Sequence, residues 1–326
     1  MVDITETCTA NSQNQPAYPH LYTLSEIPEA LEIDWIIEGL LPEGLIVHGG
    51  RPECGKSWFA LNVAISVATG RPLLDNFPTV QGRVLYMALE DSKARIRNRM
   101  NRLDAMDVDK IVFCNTWPKF DVNSNGCQLL EQWLSENPDV KLVVIDTWIK
   151  VSPVNFSKSN EYQFLYQHLS SLAKLARESS LGIMLIHHTK KENNYETEPN
   201  EKLLGSTAIA GASDCTLILN RKSGTDTAEL HISGRDVADG KLRLQFQAGR
   251  YSLSESEQSN ISNETDCKIM EVLELGPKRF TDVHRESNIP KSTANKALKR
   301  LIERGVIRKK GELYERLIDY HNKFIN

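Results

Sequence analysis

The run Gly50-Arg51-Pro52-Glu53-Cys54-Gly55-Lys56-Ser57 constrains this chain more than any other stretch, because it matches GxxxxGK[ST] in full. Such a loop works only between a strand and a helix. Its backbone N–H groups must turn inward around a phosphate while the positive end of the helix points at it. The flanks fit: Gly44–Gly50 (GLIVHGG) reads as a β-branched strand and residues 57–69 (SWFALNVAISVAT) as a helix. The residue types then specify chemistry. Lys56 is expected to bridge the β and γ phosphates of a nucleoside triphosphate, and the Ser57 hydroxyl to ligate magnesium. Trp58, on the first helical turn, is grouped with this binding set. ATP with Mg2+ is the expected ligand.

Downstream, short apolar runs alternate with helical patterns. RVLYMALE (83–90), KIVFCN (110–115), KLVVID (141–146) and GIMLIHH (182–188) read as strands. Helices are expected between them at 91–103, 125–136 and 161–179. Continuous apolar strands separated by helices imply a mainly parallel central sheet covered on both faces, an α/β architecture. Three further strand patterns, 216–221, 228–233 and 241–248, follow without long helices and read as a hairpin-rich extension.

The 326 residues suggest about two domains. The expected division is a mobile N-terminal arm over 1–22, an ATPase core over 23–251, a Ser/Glu/Asn-rich linker over 252–263 and a small domain over 264–326. No apolar run approaches the roughly 18–20 residues that span a bilayer, and no signal-peptide pattern opens the chain. A cytoplasmic protein with no membrane partner is expected. The six cysteines form no CxxC pair and no zinc spacing, which fits reduced thiols. From Ser262 onward there are 14 basic and 10 acidic residues, leaving 25 and 33 for the rest. A basic tail on an acidic body fits local contact with nucleic acid.

Two carboxylates complete the expected nucleotide site. Asp146 closes LVVID and should help hold magnesium at the carboxyl end of its strand, a helix N-cap being the bland alternative. Glu90 ends LYMALE at the same edge and should orient the attacking water; Asp91, which could instead cap the next helix, is the alternative. His187 and His188 end IMLIHH, and the period of two lets only one of them face the nucleotide.

Together WIIEGLLPEGLIVHGGRPECGKS, LYMALED, LVVIDTW, LIHHTKK and GSTAIAGASD resemble, in order, the RecA-like core of hexameric replicative helicases, most closely the plasmid RepA-type ATPases. The resemblance covers roughly residues 35–249 and implies roles position by position. Lys56 and Ser57 match the phosphate-loop pair, Glu90 the catalytic glutamate, Asp146 the magnesium aspartate and His188 the γ-phosphate sensor. AELHISGRDVADGKLRLQF looks like the hairpin that reaches a neighbouring subunit, with Arg235 at the arginine-finger position. Ser233 stands where that family has a second cation, and a plain turn arginine is the other reading of Arg235. A finger in trans implies a ring of self-associated copies, six in this family. In the family, the loops after the fourth and fifth strands face single-stranded DNA. Here those are 150–160 and 189–204; the second offers Lys190 and Lys191 but also carries four Glu.

Residues 264–317 read as helix, helix, turn, helix and basic hairpin, a winged helix-turn-helix. Lys291, Lys296, Lys299 and Arg300 fall on or near one stripe of its third helix, opposite Ala294, Leu298, Leu301 and Ile302. Arg308, Lys309 and Lys310 lie on the wing. Phosphate contacts with DNA or RNA are expected there, although such modules also bind proteins. The leading functional expectation is an ATP-dependent DNA helicase or translocase of replication, for a plasmid or phage, acting on single-stranded or duplex DNA with other replication proteins. The alternatives are a nucleotide-switched DNA-binding regulator and a RecA-like recombination or repair ATPase.

Overall fold

A computed structural model describes residue 23 and residues 33–121, 124–153, 161–188, 211–303 and 305–317. Every element below lies in the unit Asp34–Asn326; of the unit Met1–Ile33 only Thr23 and Ile33 are described. The expected arm over 1–22 and the loop holding Lys190 and Lys191 lie outside the described residues.

A nine-stranded sheet forms the core. Its parallel part contains β3 (Gly44–Gly50), β4 (Arg83–Ala88), β5 (Ile111–Cys114), β6 (Val140–Asp146), β7 (Gly182–His188) and β8 (Cys215–Asn220). An antiparallel extension adds β9 (Thr227–Gly234), β10 (Gly240–Gln247) and β11 (Arg250–Leu253). The spatial order is β11-β10-β9-β8-β3-β7-β6-β4-β5. A small hairpin, β1 (Trp35–Ile37) and β2 (Leu41–Pro42), precedes it.

Side-chain pattern explains why the two parts differ. All seven residues of β3 are buried, because helices cover both faces, and a strand with no wet face reads as an unbroken apolar run. In β9 and β10 burial alternates along the chain, so one face is solvated and the sequence shows a period of two. On one face α1 (Lys56–Thr69) packs Phe59, Val63 and Val67 against Ile46, Val84, Val144 and Met184. On the other, α3 (Gly126–Glu136), the short α4 (Trp148–Val151) and α5 (Glu161–Glu178) pack Leu130, Trp148, Leu169 and Leu172 against Leu45, Val143 and Leu185. Helix α2 (Lys93–Arg102) joins the first face through Ile96 and Met100.

The third layer is the small winged helix. It comprises α6 (Glu255–Glu274), α7 (Phe280–Glu286) and α8 (Lys291–Glu303), with a sheet ordered β12 (Lys278–Arg279), β14 (Leu313–Arg316), β13 (Ile307–Lys310). Ile269, Val283, Ala294, Leu298, Leu301 and Tyr314 fill its own core. The segment 252–263, expected as a linker, is not one. Ser252 and Leu253 belong to β11, and α6 begins at Glu255. The Ser254 side chain accepts from Glu257 N at 3.3 Å, and Glu255 and Glu257 sit in the first turn. Ser254-x-x-Glu257 is a capping-box spacing, so the polar composition that suggests a linker is a helix start. No helix among the described residues is long and apolar enough to cross a membrane.

Candidate functional site

The parallel strands bring their carboxyl ends to one edge. Gly50 is in register with His188 on β7 and with Leu219 on β8, while Ala88 on β4 faces Asp146 on β6. The loop from β3 to α1 therefore emerges beside the residues that follow β4, β6, β7 and β8.

Gly55 caps α1 with φ of 101°, a left-handed conformation, and a Cβ there would lie 2.2 Å from the Tyr251 hydroxyl. Two side chains from the antiparallel extension brace the loop. Arg221, just past β8, donates Nε to Cys54 O at 3.0 Å and lies over the Phe246 ring at 4.3 Å. The Tyr251 hydroxyl donates to Cys54 O and Gly55 O, each at 3.4 Å. Lys56 is buried, and its ammonium donates to Gly50 O at 2.9 Å and Arg51 O at 2.7 Å. Burial lowers its pKa, while Cys54, Asp146 and Glu90 oppose that shift. Burial also raises the Cys54 thiol, which fits a small filler better than a nucleophile. Trp58 flanks the loop, with the Arg99 guanidinium 5.3 Å from its ring centre.

Asp146 ends β6 and is buried; desolvation raises its pKa, opposed by hydrogen bonds from Ser57 and Tyr86. The Tyr86 hydroxyl donates to Asp146 Oδ2 at 2.9 Å. The Ser57 hydroxyl and a buried carboxylate thus meet, an oxygen pair of the kind that holds magnesium together with phosphates. Among the described residues no cluster of three or more His, Cys, Asp or Glu forms a protein-only metal cage. Asp146 does not cap α4; Thr147 occupies that position.

Glu90 follows β4. Its Oε1 accepts from Thr147 Oγ1 at 3.1 Å and lies 3.9 Å from Lys150 Nζ, leaving the carboxylate partly open to solvent. Asp91 is instead engaged by both Arg95 and Arg99. Nor does Asp91 cap α2, since the Ser92 side chain accepts from Arg95 N at 3.2 Å. Of the two carboxylates, only Glu90 combines an orienting hydroxyl with access to water.

Strand alternation separates the histidines. Met184 and Ile186 pack on the α1 face, so His188 shares that face, and His187 shares the other with Ile183 and Leu185. Burial pushes His187 down to about 4, and its Nδ1–H donates to His188 O at 2.9 Å. His188 is lowered by burial and by Lys56, against Glu90, which keeps its ring neutral at pH 7. The buried Nδ1 of His188 has no hydrogen-bond partner among the described residues.

Arg235 lies at the other end of the sheet. Its N donates to Asp214 O at 3.0 Å, and Asp214 N donates to Leu45 O at 2.8 Å, at the start of β3. At about 3.3 Å per strand residue, Arg235 is roughly 20 Å from its own phosphate loop.

On the winged helix, Lys291, Lys296 and Lys299 are exposed and form no ion pair among the described residues. Arg300 departs from that stripe by pairing with Asp266, and Arg308 pairs with Glu315 across the wing. Lys309 lies 5.3 Å from the Tyr314 ring centre. Ala297 is buried in the place expected for Ile302, which is 37% exposed. Sequence reasoning missed Tyr86, Thr147, Arg221 and Tyr251. Arg221 was findable, since it follows a strand parallel to β3 and so arrives at the same edge; Tyr251 was not, being brought there by β11.

Residues 24–194 match the family model described as an AAA domain, and residues 263–318 match one described as the sugar-specific transcriptional regulator TrmB. The chain is 25% identical over 256 residues to a probable replicative DNA helicase of Trieres chinensis, covering 67% of this chain and 54% of that protein. It is 27% identical over 166 residues to the DNA repair protein RadA of Helicobacter pylori strain J99, covering 50% of this chain and 32% of that one. The chain thus spans about half and about a third of the length of these relatives. Among solved structures, an isolated ATPase domain superposes with a TM-score of 0.51 at 17% identity, covering 65% of this chain and 85% of that one. A DnaB-like replicative helicase, solved for its interactions with primase, gives 0.50 at 17% identity, covering 65% and 59%. These superpositions establish likeness of fold.

Proposed function

The chain belongs to the AAA-domain family and has a RecA-like P-loop ATPase fold, and from that premise we propose that it is a DNA-dependent motor of replication. In this reading it hydrolyses ATP at the boundary between copies arranged in a ring of six, and it translocates on and separates DNA strands. The observation that carries the ATPase part is the meeting of Lys56, Ser57, Asp146 and Glu90 at one sheet edge. The helicase relative in Trieres chinensis, alike over two thirds of this chain, supports the motor part.

Each residue has a task. Lys56 exchanges its bonds to the Gly50 and Arg51 carbonyls for phosphate oxygens. Ser57 and Asp146 are the residues that would hold magnesium, which when bound neutralises phosphate charge. Glu90, oriented by Thr147, positions the attacking water. His188, neutral and with an unpartnered buried nitrogen, contacts the γ-phosphate. Arg235, too far from its own loop, serves the site of the neighbouring copy, where a guanidinium of this kind is worth about 10³–10⁵ in rate. Lys291, Lys296, Lys299 and Lys309 hold nucleic-acid phosphates. A cytoplasmic plasmid or phage setting and contacts with other replication proteins belong to the same proposal.

The match of residues 263–318 to a transcriptional regulator favours one second reading, a nucleotide-switched regulator that binds duplex DNA without unwinding it. A forked-duplex unwinding assay separates the two. Wild type should hydrolyse ATP faster with single strands present and open the fork, whereas Lys56→Ala should do neither. Arg235→Ala should bind nucleotide normally and lose at least a hundredfold in kcat. An active ATPase that leaves the fork closed would sink the motor reading.

A further inference from the structure

What holds Arg235 in place is a carboxylate on another strand. Asp214 precedes β8 and its side chain is only 10% exposed, yet two guanidiniums meet it. Arg177 Nη1, at the end of α5, donates to both carboxylate oxygens at 3.0 Å. Arg235 Nη1 lies 3.9 Å from Oδ1. The Arg235 Nη2 donates in addition to Gly211 O at 2.9 Å, and its backbone N to Asp214 O.

Asp214 is itself fixed to the start of β3. Its Oδ2 accepts from Leu45 N at 2.9 Å, and its N donates to Leu45 O. Gly44 leaves the room for this: its φ is 118°, and a Cβ there would lie 2.4 Å from Asp214 Oδ2. A buried carboxylate needs such partners to offset its lost hydration. One carboxylate cannot neutralise two guanidiniums, however, so this corner keeps positive charge facing outward. The side chains of Arg177 and Arg235 are 50% and 59% exposed. Pairing at 3.9 Å on so exposed a side chain adds little to stability. Its consequence is orientation. A long, rotamer-rich side chain that is already aimed loses less freedom when it inserts into a second site.

The geometry points to Asp214 as the positioning residue for Arg235, holding the guanidinium outward at the β3-start edge so that it serves the ATP site of an adjoining copy. This rests on the trans-acting role proposed for Arg235. Asp214 does not touch the nucleotide; it acts through Arg235.

Mixed oligomers of full-length variants test this. Asp214→Asn keeps an oxygen to accept from Leu45 N but loses the charge. Alone, it should lower kcat at least tenfold while leaving nucleotide Kd unchanged. Mixed with Lys56→Ala, which has a dead site but an intact Arg235 corner, it should recover hydrolysis above the sum of the two separate activities. The parallel mixture of Arg235→Ala with Lys56→Ala should recover in the same way. If only the Arg235→Ala mixture recovers, Asp214 acts within its own subunit and the inference fails. If neither recovers, the trans role of Arg235 fails and the inference with it. Wild-type turnover by Asp214→Asn alone also overturns the inference. Should Asp214→Asn not fold, Arg177→Gln serves as the second variant. It leaves Asp214 holding Arg235, so kcat should stay within about threefold of wild type. A tenfold loss that Lys56→Ala does not rescue would mark the cluster as a fold element and overturn the assignment.

Discussion

His48 sits in the middle of β3, fully buried, two residues before Gly50. Its Nδ1–H donates to Leu217 O at 3.2 Å on the neighbouring strand, and its ring lies 5.2 Å from that of Phe59. Burial, assisted by the Lys56 charge, pushes its pKa down to about 3 from 6.5. Because the unfolded chain binds this proton below about pH 6.5 and the folded chain does not, stability rises with pH between those values and is lost as pH falls through them. At pH 5 the His48 share of that loss should be about 2 kcal/mol relative to pH 7.5. Urea unfolding at the two pH values measures it, and His48→Leu should remove that share of the difference. His187, pushed down to about 4, adds a loss of the same sign at the opposite face of the sheet. Neither shift follows from residue type, since an exposed histidine in the same strand pattern would titrate normally.

At the scale of elements, α8 divides cleanly. Ala294, Ala297, Leu298 and Leu301 turn inward, and Lys291, Lys296 and Lys299 turn out. The periodicity that places these lysines was readable from the chain. The inward turn of Arg300 was not, because it depends on Asp266 reaching it from α6. If α8 lies along a nucleic-acid backbone, the double variant Lys296→Ala/Lys299→Ala should weaken binding by a similar factor on any sequence. It should also reduce the slope of log K against log salt by about 2. Fluorescence anisotropy on duplex DNA at several salt concentrations reads both, and an unchanged slope would remove α8 from the interface. The same scale accounts for the misread linker: composition favoured a flexible tether, but the Ser254 cap and the acidic first turn start a helix.

At the scale of the molecule, Lys56 and Arg235 lie at opposite ends of the strands, so an intersubunit site needs contact between unlike surfaces. ATPase activity per chain should therefore rise with protein concentration until assembly is complete, then level off. A constant specific activity across dilution, with sedimentation showing monomers throughout, would place the whole site within one chain. The regulator reading makes the opposite demand, since a duplex-binding monomer needs no such dependence.

The sequence by itself determined the phosphate loop, the parallel strands around it and the winged helix, because each is set by local spacing of glycine, apolar and basic residues. It also placed Glu90 and Asp146 at one edge, since parallel strands must end together. Which groups meet there was decided only in three dimensions. Tyr86 and Ser57 converge on Asp146, Arg221 and Tyr251 brace the loop, and Asp214 gathers Arg177 and Arg235. The contacts of Asp146 with Tyr86, and those that reach the loop from β8 and β11, join residues 60 or more positions apart. Strand order brings such residues together, and strand order follows from packing the whole sheet rather than from any local pattern.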